Sequence, residues 1–124
     1  MKREILYLIV EKAVVGNGVD GENLQEVSDE LKGPFKDDSG FHFLISREGE
    51  LMADRQLQRP ADAATFYNAE GIAIGYVAAR DESGATQKIS PQQRKTLSVV
   101  LKVLQRVFPK ASVKSKLTLE PVDG

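Results

Sequence analysis

Apolar and polar residues along this chain follow two periods, and one stretch breaks with both. Gly71–Ala79, Gly-Ile-Ala-Ile-Gly-Tyr-Val-Ala-Ala, has no charged side chain between Glu70 and Arg80. A run with nothing that seeks water on either face suits a strand covered on both sides. Gly71 and Gly75 remove side-chain bulk, so a neighbour packs close there or the strand bends. The pattern predicts a central strand with the rest of the chain built around it.

The other segments take their places relative to it. Ile5–Val10 is a short β-rich apolar run, predicted as a buried strand. Gly16–Gly21 is dense in turn residues and reads as a loop. From Glu22 the period changes: Leu24, Val27 and Leu31 recur at helical spacing, and Lys32-Gly33-Pro34 closes the element. Glu22–Lys32 is therefore predicted as a helix. Asp37-Asp38-Ser39-Gly40 is a loop, followed by strands over Phe41–Ser46 and Leu51–Arg55. Between them Arg47-Glu48-Gly49-Glu50 has hairpin chemistry, with Gly49 supplying a positive φ. Gln56–Glu70 lacks a clear period and is long for a connection, and long ordered loops are often functional. Arg80–Lys88 is polar, with Ser83-Gly84 at its tip. Ser90-Pro91 starts a second helix, with Ser as cap and Pro in the first turn. Leu97, Val100, Leu101, Leu104 and Phe108 form its apolar stripe, Lys95, Lys102 and Arg106 lie off it, and Pro109 ends it. Ala111–Leu119 alternates, with Val113, Leu117 and Leu119 on one face and Lys114, Lys116 and Thr118 on the other, as in a half-buried strand. The order β-α-β-β-β-α-β predicts a mixed α/β (α+β) domain, a mixed sheet with two main flanking helices.

Composition narrows the classes. At 124 residues the chain is expected to form one domain, 1–124, with a core that needs no staples. A net charge of -1 argues against a dedicated nucleic-acid or membrane-surface binder. The absence of cysteine excludes disulfides, thiolate metal sites and a cysteine nucleophile, and fits a reducing compartment. Ile5–Val10 is too short for the apolar core of a signal peptide, and nothing approaches a bilayer span, so the expected location is cytoplasmic.

Little catalytic chemistry is on offer. A catalytic zinc takes three ligands from His, Cys, Asp and Glu, and this chain has one histidine, His42, and no cysteine. Two carboxylates would have to complete the set, giving an oxygen-rich site suited to other metals. His42 neighbours Phe41 on a predicted strand, so if Phe41 faces a cleft, His42 faces away. It reads as a half-buried side chain hydrogen-bonded in the sheet. Ser39, Ser46, Ser90 and Ser115 have no His-Asp partner set. Asp37-Asp38 offers an acid and base pair, against the plainer reading of two solvated loop carboxylates. Gly16-Asn17-Gly18 and Gly21 lack the spacing of a nucleotide loop. Phe66-Tyr67 is a contact patch or a core plug, with the plug preferred.

From Gly40 onward the order of motifs resembles the zinc-dependent N-acetylmuramoyl-L-alanine amidases of the phage-lysozyme type, the type 2 amidases, whose fold the peptidoglycan-recognition proteins share. Gly40-Phe41-His42-Phe43 and the turn Arg47-Glu48-Gly49 look like that family's Gly-Tyr-His-Phe strand and charged-Gly turn. Asn68-Ala69-Glu70-Gly71-Ile72-Ala73-Ile74 looks like its Asn-x-x-Ser-Ile-Gly-Ile segment, and Ser90-Pro91-Gln92-Gln93 like its Thr-Pro-x-Gln helix start. Phe108-Pro109-Lys110-Ala111-Ser112-Val113 looks like its Tyr/Phe-Pro-x-Ala-x-Val segment. The resemblance covers roughly two-thirds of the chain and implies a mixed sheet of five to six strands with a cleft along one edge. The chemical positions depart from it. The first zinc histidine would fall near Leu8 or Ile9, the second on Lys116, and the third beyond Pro121, close to the last residue, Gly124. Phe41 stands for the family's strand tyrosine, and Ala63 for a pocket histidine.

What the resemblance implies is an amidase-like scaffold without its zinc ligands, hence without a cofactor. The function expected is an inactive binding or protein-interaction module of phage type. The alternatives are an amidase with an atypical site, or a small structural or immunity-type protein that associates through edge strands. The candidate cleft residues are Phe41, Asp62, Thr65, Phe66, Tyr67, Asn68 and Lys116. Lys116 is either a solvated strand lysine or an ammonium filling the metal's space beside Glu11 or Asp62. The partner expected is a protein or a muropeptide fragment, with no nucleic acid and no membrane.

Overall fold

The computed structural model describes residues 3–63 and 66–119. The elements follow the expected order: β1 (Tyr7–Gly16), α1 (Leu24–Lys32), β2 (Phe43–Ile45), β3 (Leu51–Ala53), β4 (Gly71–Arg80), α2 (Pro91–Val107) and β5 (Ser112–Ser115), with 3-10 turns at Asn68–Glu70 and Lys116–Leu119. The five strands lie in the order β3-β2-β4-β1-β5. β1 pairs in parallel with both β4 and β5, β2 pairs in parallel with β4, and β3 alone runs antiparallel.

β4 is the axis that its composition calls for. Residues Gly71 to Ala78 are all buried, because α1 lies on one face of the sheet and α2 on the other. On the α1 side, Ala13, Val15, Leu24, Val27, Phe41, Leu44, Ala73 and Val77 form one cluster. On the α2 side, Leu8, Val10, Ile45, Ile72, Ile74, Tyr76, Leu97, Val100 and Leu104 form another. The glycines of β4 admit close neighbours. A Cβ on Gly75 would lie 2.8 Å from the Phe41 ring, and one on Gly71 would meet the Ile9 side chain and lie 2.7 Å from the Tyr67 carbonyl oxygen.

Several boundaries differ from the expectation: β2 is Phe43–Ile45 rather than Phe41–Ser46, β3 ends at Ala53 rather than Arg55, and three others carry a physical reason. β1 runs to Gly16 rather than ending at Val10, and every residue pairs with β4 from Tyr7↔Gly71 to Gly16↔Arg80. Glu11 and Lys12 interrupt the apolar run, yet Ala13 and Val15 beyond them are buried under α1. β1 is also an interior strand, and among the described residues the sheet edges are β5 and β3. α1 starts at Leu24, because the Asn23 side chain accepts the Glu26 N–H at 3.1 Å and fixes the start there. β5 stops at Ser115, where the chain tightens into a 3-10 turn instead of continuing the alternation. The side chains of Thr118 and Leu119 lie outside the described residues.

α2 is fastened at its first turn by a side chain whose burial sequence reading did not reveal. Ser90 Oγ accepts the Gln93 N–H at 3.0 Å, and Gln93 Oε1 accepts the Ser90 N–H at 2.9 Å. This is a capping box. Gln93 Nε2 then donates to the carbonyls of Val77 at 2.9 Å and Ile45 at 3.2 Å, joining the helix start to β4 and β2.

Candidate functional site

The aromatic pair of the long loop is assembled by backbone constraints. Tyr67 has φ 68° and ψ 16°, and among the described residues no other non-glycine has a positive φ. The turn Asn68–Glu70 follows at once, with the Glu70 N–H on the Tyr67 carbonyl at 3.2 Å. The Asn68 carbonyl accepts from Ala61 N–H at 3.0 Å, and Glu70 O from Leu6 N–H at 2.8 Å, tying the loop to itself and to the start of β1. A left-handed conformation at a bulky residue is costly and persists where the surroundings hold it. Here it lays the Tyr67 ring on Tyr7, with centroids 4.3 Å apart at 39°. Phe66 meets Tyr67 edge-on at 6.3 Å. Lys114 of β5, paired in register with Ile9, places its Nζ 5.7 Å from both tyrosine centroids.

Phe66 is 70% exposed and Tyr67 47%, which corrects the preferred reading of a core plug. With Tyr7 and Lys114 they form an open aromatic and cationic surface at the β5 edge. Of the other candidate residues, Asn68 opens the 3-10 turn and Lys116 is exposed one residue past β5. Phe41 is buried against Gly75, a packing residue of the α1-side core. Asp62 is engaged by Lys36, whose Nζ donates to the Asp62 carbonyl at 2.8 Å and lies 3.9 Å from its carboxylate. Lys116 is exposed and sits in the 3-10 turn rather than in the strand expected for it, and no ion pair joins it to Glu11 or Asp62 among the described residues. Thr65 lies outside the described residues.

Of the adjacent aspartates, Asp37 is exposed, as a solvated loop carboxylate would be, while Asp38 is buried, and both are paired with arginine. Asp38 bonds Arg55 at 2.8 Å and Arg59 at 3.1 Å, and also accepts the Gly40 N–H at 2.8 Å. Asp37 bonds Arg59 at 2.9 Å, and that hydrogen bond is the main reason its carboxyl is held below the ordinary value. The four residues lock the loop before β2 to the long loop.

His42 is wholly buried rather than half-buried. Its Nδ1 accepts the Ala73 N–H at 3.0 Å, and its Nε2 lies 2.8 Å from the Arg59 carbonyl, to which it donates. Arg3 Nη2 is 3.2 Å from the same Nε2. Both ring nitrogens are thus occupied by backbone partners in the neutral form. Burial, and after it the positive charges of Arg3 and Arg55, push the imidazole down to about 4 against the upward pull of the Arg59 carbonyl.

These donors do not fit a zinc centre. The single imidazole has no free lone pair, and among the described residues no group of three or more His, Cys, Asp or Glu side chains comes together. Leu8 and Ile9, where the resemblance would put the first ligand, are buried aliphatic residues. An apolar concavity beneath α2, lined by Val10, Leu97, Leu101, Val113 and Leu117, has Arg94 as its one charged wall and lies on the other side of the sheet.

Comparison with known proteins bears on the fold. An endolysin of Enterobacteria phage K11 is 29% identical over 85 residues, 68% of this chain and 56% of the endolysin, so the chain spans little more than half that relative's length. The peptidoglycan-recognition protein PGRP-Hd of Alvinella pompejana superposes with a TM-score of 0.68 at 13% identity, covering 93% of this chain and 75% of its own. The N-acetylmuramoyl-L-alanine amidase LysC of Clostridium intestinale superposes at 0.66 with 18% identity, covering 97% and 76%. No family model matches the sequence. The fold is that of type 2 amidases and peptidoglycan-recognition proteins. Among the described residues no helix is long and apolar enough to cross a membrane.

Proposed function

We propose that this chain, built on the fold shared by N-acetylmuramoyl-L-alanine amidases and peptidoglycan-recognition proteins, is a non-catalytic module that binds a muropeptide fragment. The observation that carries the reading is the exposed cluster of Tyr7, Phe66, Tyr67 and Lys114, held in place by the left-handed Tyr67, in a chain whose one histidine is spent on backbone bonds. Aromatic faces stack on the apolar faces of sugars and peptide side chains, and ammonium groups attract the carboxylates of a stem peptide. Lys114 on β5 and Lys116 in the turn that follows it supply two such groups. A neighbour that carries peptidoglycan recognition in its name, on the same scaffold, supports that ligand class.

Calorimetric titration with muropeptides of varied stem tests it. Tyr67→Ala and the pair Lys114→Glu and Lys116→Glu are each expected to weaken binding tenfold or more while the fold persists. Absence of heat with every muropeptide would remove the ligand and leave a protein partner as the occupant. Similarity to a phage endolysin favours one other reading, hydrolysis of the lactoyl-alanine amide. Metal analysis with a cell-wall turbidity assay separates the two: a metal-loaded protein that clears walls establishes the enzyme.

A further inference from the structure

The net charge of -1 conceals a strong segregation of charge. Residues 88–119 hold eight of the 17 Lys and Arg residues and none of the 18 Asp and Glu. α2 occupies the centre of this segment, and its outward side is not simply polar. Val99, Val103 and Val107 are 58%, 54% and 61% exposed. At a four-residue spacing they form a continuous apolar row along the helix. Lys95, Lys102 and Arg106, all exposed, fall beside them at helical spacing and form a parallel basic row. None of these three makes an ion pair among the described residues; the ion pairs there belong to Lys32, Lys36, Arg55 and Arg59. Carboxylates flank the ends of the face: Glu4 shares a concavity with Val107 and Lys110, and Glu48 and Glu50 bracket Gly49, which lies against Gln92.

The valines are not needed for the fold. α2 already buries Leu97, Val100 and Leu104 against the sheet, so the outer row is a second apolar stripe that joins neither core cluster among the described residues. We infer that the outer face of α2 docks on an anionic lipid surface, lying in the plane of the interface. Three features select a lipid over other anions. Lysine-rich patches without an aromatic anchor are unlike protein interface cores, which are depleted in Lys and enriched in Tyr and Trp. Long basic side chains reach headgroup phosphates while an apolar row beside them enters the boundary layer. A nucleic acid would leave the valine row unused, and this face offers no aromatic ring for base stacking. The surface is distinct from the aromatic cluster, which lies at the β5 edge.

Co-sedimentation of the full chain with vesicles tests the inference, using phosphatidylglycerol mixed into phosphatidylcholine and phosphatidylcholine alone. Binding is expected to the anionic vesicles only, falling steeply as salt is raised. Lys95→Glu, Lys102→Glu and Arg106→Glu together are expected to weaken it on the order of a hundredfold, from the charge attraction lost. Val99→Ser, Val103→Ser and Val107→Ser together are expected to weaken it several-fold while leaving the salt dependence unchanged. All six side chains are exposed, and an unchanged thermal midpoint shows that each variant folds. No binding to anionic vesicles overturns the inference. So does binding that survives the charge reversals, or tighter binding to duplex DNA than to the vesicles.

Discussion

His42 is the only side chain in this protein whose ordinary titration lies between pH 5 and 8, which makes acidification a clean perturbation. In the fold the imidazole is held neutral and pushed from 6.5 to about 4. Between those values the unfolded chain binds a proton that the folded chain refuses. Stability therefore falls as the pH falls through that window. The neutral ring's contribution is complete above about pH 6.5 and is lost progressively toward 4, amounting to about 3 kcal/mol over the full window. By pH 5 about 2 kcal/mol of it should be gone, a large share of the stability of a small domain. The carboxyls held below their ordinary value, Asp29, Asp37 and Asp81, lose their contributions below about pH 5, outside a comparison of pH 7 with pH 5. Urea unfolding at pH 7 and pH 5 measures the difference. In His42→Gln the side chain retains a donor for the Arg59 carbonyl but does not titrate. The variant should be less stable at pH 7 and nearly flat between the two values. Equal losses in wild type and variant would refute the assignment, as would a His42 ring proton resonance that titrates near 6.5 in the folded protein.

The remaining predictions concern packing and metal. Gln93→Ala removes the capping box and leaves the Ile45 and Val77 carbonyls without their donor; chemical denaturation should show a loss of about 3 kcal/mol, and a loss under 1 kcal/mol would contradict it. Gly75→Ala drives a methyl group into the Phe41 ring and should cost about 2 kcal/mol, part of which returns in the double variant with Phe41→Leu; additivity of the two changes would show that they do not touch. Added zinc should leave the thermal midpoint unmoved, since the donors present do not fit it; a midpoint that climbs with zinc concentration would reveal a site.

Features that rest on near neighbours in the chain were legible beforehand. Ser90-Pro91-Gln92-Gln93 places a helix start because capping involves residues three apart. Gly49 marks the hairpin because a positive φ is a local demand, here 92°. The uncharged run at Gly71 announces a strand buried on both faces, since burial excludes charge wherever the covering elements come from. The extent of β1 was not legible: Glu11 and Lys12 look like an ending, and only the ten-residue register with β4 carries the strand past them.

The site divides in the same way. Sequence alone determined that one histidine and no cysteine were available, and that Phe66 and Tyr67 stood in a long loop. Whether that pair was core or surface depended on Tyr7 and Lys114, which approach it only through the pairing of β1 with β4 and β5. The burial of His42 depended on Arg3, Arg59 and Ala73, and the fate of Asp37 and Asp38 on Arg55 and Arg59. The gathering of basic residues and valines on one side of α2 likewise needed a sheet to occupy the other side. Composition and spacing set which groups exist and which local turns they favour. Contacts between residues far apart in the chain decide which side chains face water, and that decides their chemistry.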